Sequence, residues 1–363
     1  VNGAEIFGIV ILSFWALVYL LKGKLEKKGF QIYPFLLLWR KDTRSEWFPS
    51  LASSKFYKIF EKIAVALGIL SMIGGITLIL YVLINLLIPK PPQVEATQPR
   101  LEPIIPGLTI GLNQVPELLL AIGISVTLHE LAHAISATSN KTKVKGGGFL
   151  LLIFFPGAFV EPDEDEFNKS KTISKLKIIS AGIAVNLILA AIFFPLAYFL
   201  PPLLSQGVQI VGEVKNYPAY NASIPVNSVI LSVNDHRITQ PQQLGYYLKD
   251  STTLSNTITF LFPNGSIVTK IINVTKDHLL GVYVTYYFPP ALYFILDFFT
   301  WMFTVNFSLA LINGAPLIIT DGGKVFTELV KKVGLNDKQS YVLQTIILIL
   351  FIGAILLSIN PPQ

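Results

Sequence analysis

His129-Glu130-Leu131-Ala132-His133 lies inside a mostly apolar run from Gln114 to Thr138, and how that run is read decides the fold. About twenty such residues cross a bilayer as a helix, so the run is expected to be a membrane span. Residues four apart on a helix share one face. His129 and His133 can then offer two imidazoles to one metal ion while Glu130 reaches a water beside it, the ligand pattern of a zinc protease site. Ionisable groups at membrane depth are costly and mark function by default. The chain has only four histidines, so two at ligand spacing around a glutamate outweigh a reading in which they merely hydrogen-bond to neighbouring helices.

Composition sets the class. The 363 residues are 52% hydrophobic and only 14% charged, with a mean hydropathy of +0.59. These values describe a polytopic α-helical membrane protein with room for one small soluble module. With no cysteine there is no disulfide framework and no thiolate ligand, which leaves histidines and carboxylates to hold zinc. The net charge of +6 would suit a nucleic-acid partner, but the excess sits largely in one segment between two apolar runs. Membrane orientation explains it, so the expected partner is the lipid bilayer and not nucleic acid.

About six spans are expected: Ala4 to Leu21, Ile63 to Ile88, Gln114 to Thr138, Leu176 to Leu200, Pro290 to about Ile312, and Val342 to Ile359. The first is expected to be an anchor and not a cleaved signal, because no basic stretch precedes it and no clear cleavage site follows. Residues 22–62 carry ten Lys/Arg against four acids, which makes that loop cytoplasmic by the positive-inside rule. The N-terminus, the proline-rich stretch Pro89 to Pro106 and residues 201–288 then fall outside the cytoplasm. In the last of these, Asn221, Asn264 and Asn273 head glycosylation triplets. The chain is thus a multi-pass protein of the cell membrane.

Residues Gly207 to Thr285 lose the long apolar runs and show short Val/Ile/Tyr/Phe-rich stretches broken by Asn, Asp, Gly and Pro, as a small β-rich domain would. The stretch from Ile224 to Ile238, followed by Gln243-Leu-Gly-Tyr-Tyr-Leu, resembles a PDZ domain. That resemblance implies an extracytoplasmic α+β module whose groove takes a peptide or a substrate ectodomain as an added strand. Gln206 to Ile210 is the candidate for its carboxylate-binding loop. His236 and His278 fall in this module as ordinary surface histidines.

Beyond it, Asn313-Gly-Ala-Pro-Leu-Ile-Ile-Thr-Asp321-Gly-Gly interrupts a late apolar run. Irregular backbone at membrane depth survives only where protein or a polar cavity covers it, and a carboxylate there needs a metal or a basic partner. Asp321 is therefore the candidate third ligand. Together, H-E-x-x-H, N-x-x-P-x-x-x-x-D-G-G and the PDZ-like insert between them resemble the site-2 protease family of intramembrane metalloproteases over about residues 114–333. The resemblance implies one zinc ion held by His129, His133 and Asp321, catalysis by Glu130 with Asn313 assisting, and a transmembrane protein as substrate in regulated intramembrane proteolysis. Ala181-Gly-Ile-Ala-Val-Asn186 is similar to the family's A-G-P-x-x-N stretch, with Ile183 in place of proline; Asn186 either lines the site or ties two helices together.

Lys145 to Glu161, too short for a span and split by Pro156-Gly157, is expected to form a re-entrant β-hairpin whose edge could hold an unwound substrate. The expected organisation is residues 1–113 as an N-terminal pair of spans with a basic loop, 114–200 as the first part of the core, 201–288 as the PDZ-like domain, and 289–363 as the second part of the core with the last span. In the basic loop, Ile32 to Trp39 is expected to rest on the inner leaflet or on core helices. The competing function is a catalytically silent, membrane-anchored PDZ scaffold. A zinc protease drawing its third ligand from a downstream E-x-x-x-D lacks that pattern here, and a transporter lacks an inverted repeat.

Overall fold

The computed structural model describes residues 2–88, 99–251 and 253–359. Eight helices organise it: α1 (Gly3–Leu20), α2 (Lys55–Leu87), α3 (Val115–Ser139), α4 (Thr172–Leu204), α5 (Pro241–Asp250), α6 (Pro290–Gly314), α7 (Asp321–Lys332) and α8 (Asp337–Ile359). All but α5 and α7 are long and apolar enough to cross a membrane, and each overlaps an expected span. Local chemistry fixes several of their starts. Asn2 and Glu5 form a capping box on α1, and the Ser54 hydroxyl accepts from the Tyr57 amide at the start of α2. Part of the proline-rich stretch, residues 89–98, lies outside the described residues.

The chain divides into two units, residues 1–193 with 301–363, and residues 194–300. The first unit holds an antiparallel sheet of β1 (Phe30–Tyr33), β2 (Leu36–Ser45), β3 (Val144–Leu152) and β4 (Phe155–Pro162), in that order. Two expectations are refined here. Ile32 to Trp39 runs through β1 into β2, with Trp39 opposite Phe149 and Ile32 packed against Trp15 and Val18 of α1, and the hairpin is half of a four-stranded sheet. Its turn falls at Ile153, whose φ is +58°, and not at Pro156-Gly157, which lie within β4. A lone two-stranded ribbon is marginal, and β2 supplies the third strand that steadies it. The pairing of β2 with β3 joins the segment after α1 to the segment after α3.

Proline is tolerated in β4 because of where its missing N–H would point. The Val160 amide donates away from β3, to Glu130, whereas the Asp163 amide donates back to Lys143. Backbone groups alternate sides along a strand, so Pro156, Ala158, Val160 and Pro162 face outward. Outward amides on β4 therefore fall only at Ala158 and at Val160, which Glu130 already engages, and a proline bounds the strand at each end.

In the second unit β5 (Gly207–Glu213), β6 (Val229–Val233), β8 (Ser255–Leu261), β9 (Ile267–Asn273) and β10 (Val282–Tyr287) pair in the order β10-β5-β6-β8-β9, and β7 (His236–Arg237) pairs with β6. Alternation builds the core: Ile258 and Phe260 point inward from β8 and meet Leu244 and Leu248 of α5. Gln206 to Ile210 does not form a free loop. Its backbone joins the ladders to β10 and β6 on either side, which leaves β10 and β9 as the sheet's edges.

Candidate metal centre

Each metal-binding candidate is positioned by a different local device. His129 and His133 follow from the helical repeat of α3. That helix is held from outside by α2: the Tyr57 hydroxyl donates to the Ala132 carbonyl at 2.9 Å, and buried Glu61 accepts from Ser136 and Asn140, each at 2.7 Å. The Lys177 ammonium, 3.5 Å from Glu61, balances that buried carboxylate. Asp321 is the first residue of α7. Its helix is capped by the Thr320 hydroxyl, which accepts from the Gly323 amide at 3.2 Å, and an acid in the first turn suits a helix N-terminus.

The donor atoms converge. His129 Nε2 and His133 Nε2 lie 3.0 Å apart, and Asp321 Oδ2 lies 3.1 Å from each. His129, Glu130 and His133 form a looser triad, with ligand atoms within 4.8 Å of one another. The tighter set defines the centre. The Glu130 carboxylate is engaged by the Val160 amide at 2.9 Å. Asp321 Oδ1 also accepts from Lys324 at 3.1 Å.

The surroundings fit a cation. His133 Nδ1–H donates to the Ile178 carbonyl at 2.7 Å, which leaves Nε2 with a free lone pair. Asn186, fully buried on α4, has its side-chain amide 3.0 Å from His129 Nδ1, while its Oδ1 is buried without a partner. A half-turn of that amide would let Oδ1 accept Nδ1–H, pairing the orphaned oxygen and freeing the second Nε2. Gly182 faces the same point: a Cβ there would stand 2.5 Å from His133 Nε2 and 2.6 Å from His129 Nε2. Two neutral imidazoles and a carboxylate around a spot that excludes even a methyl group form a suitable donor set for zinc.

Asn313 behaves differently. It is half-buried near the end of α6 and makes no side-chain hydrogen bond among the described residues. His236 stacks on Tyr247, with ring centroids 4.5 Å apart, and His278 bonds the Leu248 carbonyl, both within the second unit. The Val160 amide and Gly182 were not singled out from sequence, although Gly182 lies in the stretch read around Asn186. A cavity of about 670 Å³ opens on Glu130, His133 and Asp321, with Arg40, Lys145 and Lys324 among its walls.

Such a centre belongs to the class of metalloproteases, here carried on helices of membrane length. The profile of peptidase family M50 matches residues 117–354. An uncharacterized protein of Methanocaldococcus jannaschii is 30% identical over 282 residues, covering 76% of this chain and 74% of that protein. A membrane-bound transcription factor site-2 protease homolog of Arabidopsis thaliana is 25% identical over 144 residues, 38% of this chain and 28% of that protein. A putative zinc metalloprotease of Clostridium acetobutylicum is 29% identical over 147 residues, 33% of this chain and 42% of that protein. The chain belongs to peptidase family M50, the site-2 protease family.

Proposed function

We propose that this protein is an intramembrane zinc endopeptidase that hydrolyses peptide bonds within or near the transmembrane segments of membrane-anchored proteins. The observation that carries the reading is the meeting of His129, His133 and Asp321 at 3.0–3.1 Å beside Glu130. When bound, one zinc ion would supply a Lewis acid that activates water near neutral pH and polarises the scissile carbonyl. Glu130 is the general base and acid: it takes the proton of the attacking water and returns it to the leaving amine. Asn186 holds the His129 tautomer, and Asn313 is available to donate to the developing oxyanion.

A helical substrate hides its amide bonds in its own hydrogen bonds and must unwind before hydrolysis. The outer side of β4 is where we place the unwound segment, because Ala158 has an outward amide beside the Val160 amide that Glu130 engages. In this reading the hairpin dips into the bilayer, and residues 201–288 form a PDZ-like module outside the cytoplasm. There β10 is an edge strand with α5 packed against it, so a peptide or substrate ectodomain could add to β10. The biological setting would be regulated intramembrane proteolysis.

Zinc content of purified wild type, His133→Ala, Asp321→Asn and Glu130→Gln tests the assignment. One zinc per chain in wild type and Glu130→Gln, with loss from the other two, is expected. Retention by all three variants would remove these residues as ligands.

A further inference from the structure

We infer that a second, apolar cavity beside Glu130 is the pocket that selects the substrate residue next to the scissile bond, and that it takes a branched aliphatic side chain. The inference rests on the proteolytic reading above and adds its specificity. The cavity holds about 130 Å³, and its walls include Trp39, Trp47, Leu131, Phe149 and Phe159, with Thr127 beside them. Glu130 lines both this cavity and the larger one that reaches His133 and Asp321. A peptide whose amide lies within proton-transfer reach of Glu130 must therefore place a neighbouring side chain here, since successive residues of an extended chain are only about 3.3 Å apart. Ala158 and Val160, the outward positions of β4, line the same cavity, so a strand paired to that edge passes its mouth.

Size and chemistry narrow the occupant. An apolar cavity of about 150 Å³ holds a benzene molecule, so this one admits Val, Leu or Ile and is tight for Trp. The only charged lining groups are Lys41 and Glu130, and Glu130 is engaged by the Val160 amide. A buried basic side chain would lack a partner of its own, and an acidic one would find only Lys41 in walls that are otherwise apolar. The space is also kept from the far side. A Cβ at Gly147 would stand 3.2 Å from Trp47 Cη2 and 3.0 Å from the Phe159 carbonyl oxygen. Trp39, Thr43 and Trp47 precede the segment matched by the family profile, so this wall is contributed by the chain's own N-terminal part.

The test uses the full-length protein in phospholipid vesicles and a panel of single-span substrates, varied at each residue flanking the cut to Ala, Val, Leu, Phe, Trp, Asp or Lys. At one flanking position, wild type is expected to prefer Val or Leu over Ala and Lys by about tenfold or more in kcat/KM. Trp47→Ala, which widens the pocket, should move that preference to Phe or Trp. Thr127→Leu, which narrows it from the other side and does not disturb the sheet, should move it to Ala. The ratio between substrates, not the rate, is the readout, because a general loss of stability lowers all rates together. Unchanged ratios in every variant that still cleaves would overturn the pocket. So would rates that follow the acyl-chain length of the vesicles and ignore the substrate residue, which would give the cavity to lipid. Failure of zinc-loaded wild type to cut any substrate would overturn the protease reading itself, and the pocket with it.

Discussion

Gly182 has no room for a side chain, since its absent Cβ would collide with both imidazole Nε2 atoms. Gly182→Ala is expected to lose zinc while keeping α4, because Ala is the better helix former by about 1 kcal/mol. Zinc content and far-UV circular dichroism together check this. Asn186→Leu removes the group that orients His129, and partners of metal ligands typically contribute about 10–100-fold in affinity. Competition with a chromophoric chelator should show a drop of that size, and wild-type affinity would leave Asn186 with only a packing role. The ligand candidates were legible in the sequence because their spacing carries the chemistry: two histidines four apart, and an aspartate followed by glycines where an apolar run breaks. The need for an empty methyl position at Gly182 was not legible. It arises from the approach of α4 to α3, which no local pattern encodes. The contact of Asn186 with His129 depends on the same approach, so the sequence alone allows Asn186 either to line the site or to tie two helices together.

At the level of elements, the outer side of β4 is the feature most open to test. The Ala158 amide points away from β3, so Ala158→Pro should spare the ladder to β3 while removing the outward donor that Glu130 does not engage. Turnover of a membrane-span substrate is expected to fall at least tenfold, with zinc content unchanged. Equal turnover would show that substrate does not pair there. The six long helices were readable because an apolar run of some twenty residues has few alternatives to a span. The four-stranded sheet was not. Residues 36–45 pass from an apolar run, Leu36 to Trp39, to a charged one, Arg40 to Arg44, without strict alternation. Their partner strand β3 is about a hundred residues away in sequence, joined to them in a register set by long-range pairing. Likewise, Tyr57 and Glu61 read as ordinary residues at the start of a span, yet their hydrogen bonds fix the helix that carries the histidines.

Across the whole molecule, charge distribution makes a statement about orientation. The natural absence of cysteine makes each introduced thiol unique. Lys28→Cys and Asp165→Cys, both at exposed positions, should react with an impermeant maleimide only from the cytoplasmic side. Asn264→Cys should react only from the opposite side, and labelling of all three from one side would contradict the assigned topology. The small β-rich module is legible in its broken apolar pattern, but Gln206 to Ile210, the candidate carboxylate-binding loop, is not a free loop. Gly207 to Ile210 lie in β5, which is interior because β10, some seventy residues later, pairs with it. The central claim, hydrolysis of a membrane-embedded peptide bond at this centre, is tested most directly by mass-spectrometric mapping of the products from a single-span substrate. A cut within the apolar span or a few residues from its end, made by wild type and absent with Glu130→Gln or after chelation, is the expected result. A cut that persists in Glu130→Gln, or one confined to water-exposed tails far from the span, would contradict it.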